Sequence, residues 1–456
     1  MCQSKGTSNQ SPHPGSQGRP TEEYTDIGQL FRSHGQRYIQ SYGVNTDQIR
    51  FIKDVTKCKT PALGGVLISC KTCDQKTYLY KSCGNSQCPK CQSIKRLQWQ
   101  DKLSSKILKC PYQHIIFTLP HELNYIANVK TKLVYNALFK AAWNTLSRLS
   151  KSKTNLGATP GMVAVLHTFG SDLKHHIHLH TLVTFGGIDK MGEWRFPTRK
   201  NKIAPYRQMC STFRKEYLKI LHKSLEQEDL ESYEQVQTTL SSLANIRWCV
   251  HNTPPTMHTK IIEEYLGRYV CRIGVSNKKL KYDDQTQEVQ LEYNDYKNQE
   301  KNKAAPKAIK HIDPLVAIHQ ILRHVLPSHF QKVRYYGLMT TKNQKQICKN
   351  IPDLLRQDKN CIRKLFEILR ALLQLDDGEQ EIGCISCGAQ DLAREEVKPD
   401  PVWYNKHIAW KQKGSKTRNR SPDNDHKTYH PPKNKPLSQV AQVSRALGVQ
   451  KSGTTA

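Results

Sequence analysis

Long hydrophobic runs are missing from this 456-residue chain, and so is negative charge in proportion to positive. No uninterrupted apolar stretch approaches the roughly 20 residues that a membrane-spanning helix needs. The first twenty residues, "MCQSKGTSNQSPHPGSQGRP", lack the apolar core of a secretory signal. Both absences point to a cytoplasmic protein. A reducing compartment then keeps the 15 cysteines as thiols or metal thiolates rather than disulfides. No fixed-period repeat is visible, which excludes a solenoid. Asp and Glu total 39 against 70 Lys and Arg, a formal charge of +31. Such an excess repels itself unless a polyanion is the usual partner, which favours nucleic acid over a generic basic surface or an anionic membrane.

Composition and periodicity divide the chain into six parts. Residues 1–22 are polar and rich in Pro, Gly and Ser, the signature of disorder. Residues 23–57 carry apolar positions at mixed three and four spacings, which predicts two short helices. Cysteines crowd residues 58–92. Residues 93–345 alternate strand-like runs ("YQHIIFTL", "MVAVLHTFG", "HIHLHTLVTF", "NIRWCVHN") with helical ones around 125–150 and 204–245, an α/β or α+β pattern. A helical segment with one Cys-x2-Cys is expected over 346–397. Residues 398–456 hold 12 Lys and Arg against 3 Asp and Glu, and read as a flexible basic tail that adds phosphate contacts.

Cys70-x2-Cys73 and Cys88-x2-Cys91 present two thiolates each, and 14 residues between the pairs are easily spanned by a hairpin. Two such turns complete a tetrahedron around Zn²⁺. A redox dithiol is the rival reading. Cys58 and Cys83 are left over, as a substitute ligand, part of a second site, or buried thiols. Cys384 and Cys387 have no evident partner pair. Lys95 and Arg96, in the flank "SIKRLQWQDK", would be positioned for DNA by the zinc module.

"HHIHLH" at residues 175–180 is rich in β-formers, so His176, His178 and His180 project to one side of a strand. His175, Ile177 and Leu179 project to the other. Two imidazoles at i and i+2 can share a divalent ion, although a satisfied or exposed histidine reads the same way. "KIIEEYLGRYVCR", residues 260–272, has helical apolar spacing that sets Tyr265 and Tyr269 one turn apart, with Arg268 and Arg272 alongside. The bland alternative makes both tyrosines core.

The ordered series "CKTPALGGVLISCKTC…YKSCGNSQCPKCQ", "HIIFTLPHELN", "VLHTFGSDLKHHIHLHTLVTFGG", "YLGRYVCRIGVSN" and "VRYYGL" resembles the rolling-circle transposases of the insertion sequence 91 family, over about residues 26–340. The resemblance implies an α+β fold: an HUH endonuclease domain (two histidines flanking a bulky hydrophobic residue) with a central antiparallel sheet flanked by helices, preceded by a small zinc-ribbon-like domain. It also implies catalytic Tyr265 and Tyr269, and His178 and His180 as ligands of Mg²⁺ or Mn²⁺. The third ligand is open among His176, His167 and Glu264. The implied reaction is tyrosine attack on single-stranded DNA giving a 5′-phosphotyrosine, with element ends and target DNA as partners. Two departures stand out: "SCGNSQC" lacks the basic, histidine-containing stretch usual around Cys83, and Ile177 replaces a common proline. A replication initiator or relaxase with the same chemistry, and a non-catalytic zinc-dependent DNA-binding protein, are the competing functions.

Overall fold

A computed structural model of the chain describes residues 26–104, 106–228, 230–257, 275, 279–300, 303–343, 347, 384 and 386–406. Two helices come first, α1 (Ile27–Tyr42) and α2 (Thr46–Lys57). The Asp26 carboxylate accepts from the Gln29 N–H at the start of α1. Asn45 and Gln48 form a reciprocal capping box at α2, each side chain accepting from the other's backbone N–H. Ile27, Leu30, Phe31, Phe51, Ile52 and Val55 are buried along the facing stripes.

Next comes a hairpin of β1 (Gly65–Cys70) and β2 (Lys76–Tyr80), then α3 (Ser93–Ser104), whose Leu103 leads into the core of the following sheet. That sheet and its helices contain β3 (Tyr112–Thr118), α4 (Asn124–Val129), α5 (Thr131–Lys151), β4 (Gly161–Phe169), β5 (His175–Thr184), a small ribbon of β6 (Gly187–Ile188) and β7 (Trp194–Arg195), α6 (Tyr206–Glu228), α7 (Leu230–Asn245) and β8 (Cys249–Asn252). A second antiparallel sheet follows, β9 (Leu280–Asp283), β10 (Glu288–Asn294) and β11 (Lys307–Ile312), with α8 (Pro314–Leu322). Then come β12 (Val333–Gly337), β13 (Leu392–Val397) and α9 (Pro401–Lys406).

The central sheet is antiparallel throughout, in the order β12-β4-β5-β3-β8. One face sends Phe117, Ala164, Leu166, Ile177, Leu179 and Val183 into a core with Leu138, Phe139, Phe213, Tyr217 and Trp248 of the helical layer. On the other face, Val163, Val165 and Leu182 pack with Leu103, Tyr112 and Met339 at one end. His114, His167, His178 and His180 lie further along that face. The architecture is the expected α+β fold with helices against a central antiparallel sheet.

Three domain boundaries differ from the sequence expectation. The second sheet and α8 were expected within the catalytic unit, yet Leu280, Tyr282, Leu291, Ile318 and Ile321 complete the core of α1 and α2. Residues 346–397 were expected to be helical, but their described C-terminal part is the strand β13, paired with β1 over six positions. The tail expected from residue 398 begins with an ordered segment: Lys57 lies 4.6 Å over the Tyr404 ring, and the Asp400 N–H donates to Pro61 O. Periodicity missed this return because LAREEV is short and half exposed.

Candidate metal centre

The pleat of β5 separates the histidines as alternation dictates. Ile177 and Leu179 enter the helical core, while His178 and His180 face the opposite side and are buried. Antiparallel pairing sets His167 of β4 directly across from His178, and Ile116 of β3 across from His180. His167, His178 and His180 each bring a ring nitrogen to within 4.8 Å of the others, close enough for one ion. His176, one of the three candidates for third ligand, is exposed at the edge of this group, with its ring 4.8 Å from that of His178. The cross-strand pairing favours His167 in its place. His175 lies on the other face, with Nε2 3.4 Å from the Tyr135 hydroxyl.

Hydrogen bonds orient two of the three rings. His178 Nδ1–H donates to the carbonyl of His176 at 2.8 Å; a carbonyl only accepts, so the neutral ring keeps its lone pair on Nε2. His180 Nδ1 lies 2.9 Å from Nε2 of His114, and the rings stack at 5.1 Å. When His180 Nδ1–H donates in that bond, His180 Nε2 carries the lone pair and is the ligand atom. His114 was not singled out in the sequence, though its alternate position in "YQHIIFTL" was the available signal.

Burial first, and neighbouring histidines second, lower the proton affinity of the group. His178 is pushed down to about 4, and His167 and His180 lie well below the ordinary imidazole value. His114 is also lowered to about 4, by burial and then by His251. All are neutral near pH 7, so no proton has to be displaced before an ion binds.

Among the described residues, eight cysteines form two groups of four, and neither is the quartet of Cys70, Cys73, Cys88 and Cys91 expected from spacing. Cys58 and Cys83 join Cys88 and Cys91 in one; Cys70 and Cys73 join Cys384 and Cys387 in the other. The β1-β2 hairpin is the physical reason. Cys70 ends β1, whereas β2 carries the chain back until Tyr80 pairs with Gly65, about 17 Å away at roughly 3.3 Å per residue. Lys59 N–H then donates to Lys81 O, which draws Cys58 beside Cys83. Within the first group Cys83 and Cys91 sulfurs are 3.8 Å apart, and N–H groups of Cys83 and Lys90 donate to the sulfurs of Cys58 and Cys88. Four thiolates at this spacing suit a structural zinc. Gln87 pins the loop to the rest of the chain, since its amide both donates to and accepts from the backbone of Leu326.

Lys95 is exposed beside this group and donates to Gly84 O, and Arg96 is half-buried. Tyr265, Tyr269, Arg268, Arg272 and Glu264 lie outside the described residues. Among the described residues no helix is long and apolar enough to cross a membrane.

Comparison with known proteins adds to this geometry. Residues 30–119 match the family described as "Transposase zinc-binding domain", and residues 161–346, which include all three clustered histidines, match the one described as "Putative transposase". The "Putative transposase y4qJ" of Sinorhizobium fredii is 31% identical over 340 residues, 72% of this chain and 84% of that protein. The transposase for insertion sequence element IS801 of Pseudomonas savastanoi pv. phaseolicola is 25% identical over 364 residues, 77% of this chain and 84% of that protein. With a family match to a zinc-binding domain ahead of a histidine-faced antiparallel sheet, and transposase relatives that match about three quarters of the chain, the chain belongs to the transposases of the insertion sequence 91 family.

Proposed function

We propose that this transposase cuts and rejoins single-stranded DNA at the ends of its element by tyrosine attack, in rolling-circle fashion, as an HUH-type strand transferase. The observation that carries the reading is the buried cluster of His167, His178 and His180 on one face of the central sheet, all neutral, with His178 and His180 oriented by hydrogen bonds. His178 and His180 flank Leu179, whose side chain serves the core and leaves both imidazoles on one side. These residues fit a divalent ion, Mg²⁺ or Mn²⁺, with His167 as the third ligand. Three imidazoles suit Mn²⁺ better than Mg²⁺, which prefers oxygen donors. When bound, the ion supplies a positive centre for the charge that develops on the scissile phosphate.

The chain's own groups do the rest. The hydroxyl oxygen of Tyr265 or Tyr269 forms a new bond to phosphorus, and the bond from phosphorus to the 3′ oxygen breaks. The tyrosine proton is passed on and the departing 3′ oxygen takes one up, so the exchange of one phosphodiester for another needs neither water nor ATP. Arg268, one of the neighbouring cations, assists the phenol toward its ionised form. Arg272, Lys95 and Arg96 contribute phosphate contacts, and their strength falls with salt. The two tyrosines divide the work: one holds the donor strand while the other opens the target strand.

The test uses labelled single-stranded element ends with and without Mn²⁺. A covalent protein–DNA adduct is expected that requires the ion, disappears in His178→Ala, and disappears in the Tyr265→Phe/Tyr269→Phe double variant. Undiminished adduct in that double variant would sink the scheme. Salt-sensitive binding with no adduct on intact ends would favour a non-catalytic DNA-binding role.

A further inference from the structure

We propose that Cys70, Cys73, Cys384 and Cys387 bind a second zinc ion, which clasps the far end of the chain onto its zinc-binding domain. The match to the zinc-binding family ends at residue 119, so it does not include Cys384 or Cys387. Cys70 and Cys387 sulfurs are 3.7 Å apart, and those of Cys73 and Cys384 are 3.6 Å apart. A tetrahedron of sulfurs at about 2.3 Å from a zinc ion has edges of about 3.8 Å. A disulfide would require about 2.05 Å. The geometry is that of four separate thiolates around one centre.

The two turns that supply these sulfurs are built alike. In each, the N–H of the first cysteine donates to the carbonyl five residues on, Cys70 to Gln75 and Cys384 to Ala389. In each, the residue after the second cysteine takes the left-handed conformation, Asp74 at φ 55° and Gly388 at φ 76°. Such turns aim N–H groups at sulfur: those of Cys73 and Thr72 point at Cys70, and those of Cys387 and Ser386 at Cys384. Two matching knuckles, from sequence positions far apart, thus face each other.

The contacts around them explain why an ion is needed. Lys71 bridges the knuckles, with its N–H donating to Asp391 O and its ammonium 2.9 Å from the Asp391 carboxylate. Beyond that, β13 adds itself to the edge of β1, yet its side chains are exposed or only half-buried. An edge strand with so little apolar surface to bury is poorly held by backbone hydrogen bonds alone. Zinc replaces the missing core, as in other small metal-held modules. The clasp closes the chain from residue 74 to residue 383, with the histidine-faced sheet inside the loop. It also makes the basic stretch beyond residue 406 start from the zinc-binding domain, where α9 packs Trp403 5.7 Å from the Arg32 guanidinium.

Metal analysis of the full chain, purified under reducing conditions, tests the proposal directly. Two zinc ions per chain are expected, falling to one in the Cys384→Ser/Cys387→Ser variant. One zinc ion in the wild type, or two in the variant, would overturn it. A second measurement needs no variant. Cys73, Cys387 and Cys249 are all exposed, so without metal all three should be alkylated at similar rates. In the zinc-replete protein Cys249 should react at once, while Cys73 and Cys387 stay protected together until a chelator is added. Equal alkylation of the three, or recovery of a disulfide-linked pair of these peptides, refutes the clasp.

Discussion

Acid should unfold this protein through its buried histidines, and His324 gives the cleanest case. It is 2% exposed, its Nε2–H donates to Leu173 O, and its Nδ1 accepts from the Thr168 hydroxyl. That pattern satisfies one neutral tautomer, and protonation would put a charge near the cations Arg323 and Lys332. Burial accordingly lowers its pKa to about 4. His319, which meets the Tyr38 hydroxyl at 2.7 Å, is also lowered to about 4, by burial and then Arg323. In the unfolded chain each titrates near 6.5. The stability tied to each ring is therefore complete above about pH 6.5 and is lost progressively as pH falls toward 4. A difference of roughly 2.5 units corresponds to about 3 kcal/mol per histidine at pH 4, against a total stability of about 5–15 kcal/mol. Near pH 5.3 the unfolded state binds almost one more proton per ring, a slope of about 1.2 kcal/mol per pH unit. The assay is urea unfolding between pH 4.5 and 7 for the wild type, His324→Gln and His319→Gln. Protons taken up by zinc thiolates are common to all three and cancel in the comparison. Each variant should be destabilised at pH 7 and should show a shallower loss of stability with acid, by about that slope. Parallel pH profiles would refute the assignment of these rings as neutral at pH 7 and costly to protonate.

The remaining expectations concern the metal centre and the elements that hold it. His114→Ala removes the partner of His180 Nδ1, and should weaken Mn²⁺ binding about 10- to 100-fold in calorimetric titration while leaving the fold intact; unchanged affinity would show that His114 does not orient the ligand. Leu179→Ala should cost about 2–5 kcal/mol in denaturant unfolding, because this fully buried side chain sits in the helical core. The folded fraction should still bind the ion, and a loss below about 1 kcal/mol would contradict that packing. Asn45→Ala breaks the capping box of α2 and should cost about 1 kcal/mol in thermal unfolding.

Much of the site was legible because a strand has a period of two. That period alone put His178 and His180 on one face and Leu179 on the other, and the helices of the sheet's covered face follow from equally regular apolar spacing. The same logic overvalued His176, which shares their face but sits near the start of β5, where it stays exposed. His167 and His114 belong to neighbouring strands, and their places depend on pairing register. The hairpin between β4 and β5 sets His167 against His178, a relation that no local pattern states.

The cysteines divide the same way. Sequence by itself offered metal binding as one reading of the tight Cys-x2-Cys turns, favoured a nucleic-acid partner from the charge, and called for a fold that mixes helices with strands; the antiparallel sheet came from the family resemblance. Tertiary structure decided which turns meet. The β1-β2 hairpin sends the two knuckles nearest in sequence to opposite ends, and β13 returns from more than 300 residues later to complete one of them. Spacing along a chain limits only how far apart two ligands can lie; strand direction and pairing determine which of them come together.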